Sequence, residues 1–105
     1  MNYIVGIYPS EAPGSPEIDS FVYTRDCSIM FDLVLEGGID GLDGMSADDA
    51  EQLLEEAITS FVDIQESMEA LNPESEEGCH TGALKFLMEI RTCCLVNPSC
   101  IIGVS

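Results

Sequence analysis

The sequence predicts a small α+β domain, with two or three helices and a short antiparallel sheet that pairs the N- and C-terminal strands. Three observations carry this. The chain begins and ends in short apolar runs rich in β-branched residues, NYIVGIY (2–8) and CIIGVS (100–105). Its middle, SADDAEQLLEEAITSFVDIQESMEAL (46–71), repeats apolar residues at helical spacing. At 105 residues, 46% apolar and 22% charged, the chain is long enough and apolar enough for one folded domain, taken as residues 1–105.

In chain order, NYIVGIY is closed by Pro9 and reads as a buried strand. EAPGSPE (11–17) is a surface loop, and FVYT (21–24) a second short extended piece. CSIMFDLVLEGG (27–38) alternates like a strand, yet Ile29, Met30, Leu33 and Val34 also share one helical face. The double glycine after Glu36 suits a helix end and favours the helical reading. GGIDGLDG (37–44) is a glycine-rich acidic connector.

The stretch 46–71 reads as one long amphipathic helix. Ser46 caps it, and Asp48 and Asp49 complement its positive end. Ala50, Leu53, Leu54, Ala57, Ile58, Phe61, Ile64, Met68 and Leu71 form its apolar stripe, and Asn72-Pro73 stop it. At 1.5 Å per residue it would be on the order of 39 Å long, more than a small core needs. After the acidic loop ESEEG (74–78), TGALKFLMEIRTCCLV (81–96) reads as a central core helix with Thr81 as its cap. CIIGVS then supplies the last strand, a natural antiparallel neighbour for NYIVGIY that ties down both termini.

Charge narrows the function classes. Twenty acids face three bases, Arg25, Lys85 and Arg91, giving a formal charge of −17. No base occurs between Arg25 and Lys85. Such a field repels nucleic acid and anionic lipid and attracts basic protein surfaces over a Debye length of roughly 8 Å. Direct DNA or RNA binding and membrane association are therefore not expected. The start MNYIVGIYPSEAPGSP has no basic leader region and no sufficiently long apolar run, so a cytoplasmic protein is expected, in a host cytoplasm if phage-encoded. Five cysteines without an export signal suit reduced thiols acting as small apolar filler.

GGIDGLDGMSADDAEQLLEE superficially resembles the segment of acyl carrier proteins where an Asp-Ser-Leu motif opens an acidic helix. Here that position reads Asp40-Gly41-Leu42, with no serine to carry a phosphopantetheine, so the carrier role is rejected. Read as a calcium loop from Asp40 to Glu51, the same stretch places Leu42, Gly44 and Met45 where oxygen, oxygen and glycine are required. Cys79, His80, Cys93, Cys94 and Cys100 contain no C-x-x-C knuckle, and adjacent Cys93 and Cys94 diverge by about 100° on a helix, so no metal is expected. No phosphate loop, nucleophile elbow or zincin motif is present; neither an enzyme nor a cofactor is expected. High-salt adaptation fits ten isoleucines and five cysteines poorly.

What remains is the acidic helix. Asp48, Glu51, Glu55, Glu56, Asp63, Glu66 and Glu69 form its polar side, with Asp40 and Asp43 in the connector before it. Carboxylates at i, i+3 and i+4 rise about 5 Å per step, comparable to phosphate spacing along a strand, and no lysine is interspersed. These nine residues are the expected partner-binding set. The expected function is a non-catalytic inhibitor that mimics nucleic-acid charge and occupies a basic nucleic-acid-binding surface of another protein. Phage anti-defence and anti-CRISPR proteins are the analogous setting. The alternative is a homo-oligomeric structural or assembly subunit that buries the stripe of helix 46–71 against another copy.

Overall fold

Strand β1 (Asn2–Tyr8) divides its side chains by parity. Tyr3, Val5 and Ile7 are buried on one face, while Ile4 on the other is 44% exposed. The computed structural model describes residues 2–9, 16–73 and 79–105, and all structural statements concern these. Most of the loop expected at 11–17 and all of the acidic loop at 74–78 lie outside them.

β1 pairs antiparallel with β2 (Asp19–Thr24), Tyr3 opposite Tyr23 and Val5 opposite Phe21. On its other side it pairs antiparallel with β3 (Ile101–Val104), Val5 opposite Val104 and Ile7 opposite Ile102. The order is thus β2-β1-β3, with the two terminal strands adjacent as the sequence predicts. The outer face has no large side chain at Gly6 or Gly103. The Tyr8 ring fills that place, within 2.8 Å of where a Cβ on either glycine would stand. Its hydroxyl donates to Glu17 at 3.1 Å. Stacking of this kind protects glycines on an exposed strand face.

After a 3₁₀ turn at Arg25–Cys27, helix α1 (Ser28–Val34) confirms the helical reading but turns a different face inward. Met30 and Phe31 are buried, whereas Ile29 and Leu33 are 52% and 57% exposed. The reason is aromatic. Phe31 enters a cluster with Tyr3, Tyr23 and Phe86, ring centroids 5.7, 6.3 and 5.8 Å away, and the largest ring sets the helix rotation. Gly37 and Gly38 follow with φ of 77° and 62°, the left-handed region that releases the chain from the helix. The connector then buries Ile39 and Leu42 and runs along the outer side of β3. Gly44 N–H donates to Ile102 O at 2.8 Å, and Ile102 N–H to Met45 O at 2.9 Å.

Helix α2 (Ala47–Asp63) starts at the expected cap, Ser46 Oγ accepting from Asp49 N–H at 3.2 Å. It buries Ala47, Ala50, Leu54, Ala57 and Phe61. The single long helix expected over 46–71 is interrupted. Ile64 leaves helical geometry at φ −110°, ψ 30°, and a short α3 (Gln65–Ala70) follows. β-branched Thr59, Val62 and Ile64 weaken helix here, and Asp63 sits unfavourably at the negative end of the α2 dipole, with no base in its last turn. Met68 on α3 is buried, as its place in the expected stripe predicts.

Helix α4 (His80–Val96) is the central core element, burying Ala83, Phe86, Leu87, Ile90 and Cys94 between the sheet and α2. It begins at cap Cys79 rather than at Thr81. Tyr23 fixes that start. Its hydroxyl donates to Cys79 O at 2.9 Å and accepts from Cys79 N–H at 3.1 Å, while its ring stacks on Phe86 at 5.3 Å.

Candidate partner-binding surface

The surface is defined first by where its positive charge goes. All three bases are engaged by acids of the same chain. Arg25 holds Asp40 through both terminal nitrogens at 3.2 and 3.4 Å. It also reaches the carbonyls of Asn2 and Ser105, and lies 4.3 Å over the Tyr3 ring. Arg91 on α4 clamps Glu51 on α2 at 3.1 Å, a pair whose side chains are 33% and 14% exposed. Lys85 pairs with Glu89 one helical turn on, at 3.8 Å, in the open.

These pairs sort the nine expected residues. Glu51 belongs to the α2–α4 contact rather than to a free ridge. Asp40 anchors Arg25, and Asp43 Oδ1 accepts from Val104 N–H at 2.9 Å, closing the connector onto β3. All three do structural duty within the fold. Sequence reasoning grouped them with the ridge because acidity alone does not show which carboxylate meets one of the three bases. The other six, Asp48, Glu55, Glu56, Asp63, Glu66 and Glu69, are exposed, and their side chains have no ion-pair or hydrogen-bond partner among the described residues.

At 100° per residue, Asp48, Glu55, Glu56 and Asp63 fall on the side of α2 opposite its buried stripe. Glu66 and Glu69 belong to α3 and are re-aimed by the break, so the ridge is bent rather than straight. The bend has its own concavity. Val62, Asp63, Ile64, Gln65, Glu66 and Ser67 line a notch of about 390 Å³ with two carboxylates in its wall. A second hollow, about 420 Å³, lies between α1 and α2, with Val34, Leu35, Met45 and Leu53 as apolar lining and Glu36 and Glu56 as its acids. An aliphatic floor with carboxylates beside it matches the stem and head of Lys or Arg. Glu36, just after α1, was missed by sequence reasoning. The double glycine after Glu36, which turns the chain back beside α2, was the available signal.

Cys27, Cys94 and Cys100 are buried, while Cys79 and Cys93 are half-buried. Burial pushes the Cys94 thiol up to about 12, and raises Cys27 and Cys93 as well. Cys79 is lowered, first by its bond to Thr81 Oγ1 at 2.9 Å and then by the backbone at Gly82. The neighbouring His80 ring instead meets Asn72 Oδ1 at 3.2 Å, so the two side chains face different partners. Among the described residues no group of three or more His, Cys, Asp or Glu is arranged to hold a metal ion. No helix among them is long and apolar enough to cross a membrane. Comparison with protein families, curated proteins and solved structures finds no match for the chain.

Proposed function

We propose that this protein is a non-catalytic anionic mimic that occupies a basic, nucleic-acid-binding surface of another protein. One observation carries the reading: every Lys and Arg is tied to an acid of its own chain, leaving the exposed carboxylates of α2 and α3 uncompensated. An ordinary solvated helix intersperses cations to relieve repulsion between its own acids. Here that relief is withheld from the exposed acids of α2 and α3: Arg25 and Arg91 join separate parts of the fold, and Lys85 pairs with Glu89 on its own helix. The notch at the α2–α3 bend and the hollow beside Glu36 and Glu56 add places for the guanidinium and ammonium groups of a nucleic-acid groove. Inhibition of a bacterial nucleic-acid-targeting defence, of the anti-CRISPR kind, is the setting that suits a small acidic domain; this is analogy of charge and size. In that setting the protein would act in a host cytoplasm.

The assembly-subunit alternative drew on a helix longer than its core. That helix is two, and of the expected stripe Ala50, Leu54, Ala57, Phe61 and Met68 are buried within their own chain, while Leu53 and Ile64 are 40% and 38% exposed. The observations therefore favour the charge-based reading.

The test is capture from a bacterial lysate at low and high salt, followed by competition on the purified partner. A partner that binds nucleic acid, releases with salt, and is displaced by its own nucleic acid is the expected result. Simultaneous binding of nucleic acid and this protein, without competition, would overturn it.

A further inference from the structure

β2 ends the sheet, and the bonding phase of β1 shows what its free side offers. Ile4 N–H donates to Ser105 O at 3.1 Å, and Ile4 O accepts from Ser105 N–H at 2.9 Å. In an antiparallel ladder the N–H and C=O of one residue point to the same side. Ile4 therefore has neither group left for Val22, which lies opposite it on β2. The Val22 donor and acceptor consequently point away from β1, toward the open side. Ser20, in the same phase, directs its N–H to Asp19 Oδ1 at 2.8 Å. Among the described residues no strand lies beyond β2, whereas the connector covers the corresponding side of β3.

Beside this edge a groove of about 560 Å³ separates β2 from α4. Phe21, Met88, Cys93 and Val96 make it apolar, and the exposed carboxylates of Asp19 and Glu89 also line it. Phe21 is out of phase with Val22, so a strand laid along Val22 would send alternate side chains into the groove. Charge selects the occupant. A second copy would bring the same charge of −17 to an acid-lined edge. The apolar side chains of an added strand enter the groove and the alternate ones fall on the outer face, where the chain's net charge of −17 favours Lys or Arg.

We propose that the β2 edge and the β2–α4 groove form a docking site for an extended segment of another protein, apolar residues alternating with Lys or Arg, added as a fourth strand. No α2 or α3 residue lines this groove, so the proposal stands apart from the nucleic-acid-mimic reading.

The probe is a short synthetic peptide of alternating valine and lysine, titrated against ¹⁵N-labelled protein in about 0.3 M salt to screen general attraction. The same titration is run on a variant carrying Glu55→Lys, Glu56→Lys, Asp63→Lys and Glu66→Lys. In both, shifts should cluster at Asp19–Thr24 and along Met88–Val96. Val22→Pro removes an outward donor that β1 does not use, and should weaken binding at least about tenfold, as should Val96→Lys. Should Val22→Pro disturb the sheet, a peptide N-methylated at alternate residues keeps the test on the unaltered protein, and its failure to bind is expected. Overturning results are shifts confined to the α2 and α3 acids, binding lost in the fourfold variant, or equal affinity for the N-methylated peptide. Absence of shifts at millimolar peptide, or concentration-dependent shifts at β2 without peptide, which would make a second copy the occupant, overturns it equally.

Discussion

Reversing Glu55, Glu56, Asp63 and Glu66 to Lys should separate binding from stability, and the structure sets the size of each effect. Glu51 and Glu55 are like charges one turn apart; Lys at 55 turns that repulsion into an attraction, each worth about 0.2–0.5 kcal/mol. Asp63 sits in the last turn of α2, where a cation gains about 0.3–1 kcal/mol from the helix dipole. Glu66 occupies the first turn of α3, where its reversal loses a similar amount. The sum lies within about 1 kcal/mol of zero or slightly favourable, so Tm should move by no more than about 8 °C. Binding should respond differently. At about 1 kcal/mol per carboxylate on a partly desolvated contact, with repulsion added, affinity for the captured partner should fall by more than about a thousandfold. The assay pairs thermal circular dichroism with fluorescence anisotropy on the captured partner. The neutral set Glu55→Gln, Glu56→Gln, Asp63→Asn and Glu66→Gln should fall between parent and reversal. Unchanged affinity in the reversed variant, or an affinity loss that merely tracks unfolding, would refute the reasoning, and the ridge would be a solvated face.

Tyr23→Phe removes both hydroxyl bonds to the Cys79 backbone and should destabilise the fold by about 1–3 kcal/mol in urea melts, with amide exchange accelerating first at the start of α4. Added salt should raise the melting temperature by screening self-repulsion, and a flat response up to about 0.5 M would contradict the uncompensated charge. Because Cys94 is raised from 9.0 to about 12 in the folded chain, the native state holds its proton longer than the unfolded one. Its contribution is complete below pH 9 and is lost progressively as pH rises toward 12, with the raised Tyr3 and Tyr23 acting in the same sense. Urea melts from pH 8 upward should show that decline, whereas stability rising across the window would refute it. Cys79, lowered by its Thr81 bond and only half-buried, should be the first thiol alkylated at pH 7.5 in a mass-spectrometric time course; Cys94 labelled equally fast would refute the burial assignment.

The strands were legible because each is a short β-branched run bounded by a breaker or turn, and the N- and C-terminal strands had no more economical partner than each other. The Ser46 cap and the α2 stripe were legible for the same local reason. The rotation of α1 was not, since periodicity cannot rank Ile29 against Phe31; the aromatic cluster on the sheet decides it. Nor was the break at Ile64, because the apolar spacing continues through to Met68 while backbone propensity and the helix dipole fail near residue 63. In the candidate surface, the exposed acids of α2 and α3 followed from sequence. Asp40, Asp43 and Glu51 did not, because their roles depend on three long-range partners, Arg25, Val104 and Arg91, that no local pattern reveals.

The placement of the three cations also decides how the chain meets a protease. Trypsin-like enzymes need a basic residue in an extended, pliable stretch. Arg25 lies in a capped 3₁₀ turn with its guanidinium bound on several sides, and Lys85 and Arg91 lie inside α4. The folded domain offers such enzymes no ready site, and even the unfolded chain yields an uncut fragment spanning 26–85, which carries all of α1, α2 and α3. Enzymes that cut after acidic residues find many more of their preferred residues on α2, but these too are helical and are reached only when the helix opens. The two protease classes would therefore report on different parts of the fold, the basic-specific one on the 3₁₀ turn and α4, the acid-specific one on the opening of α2.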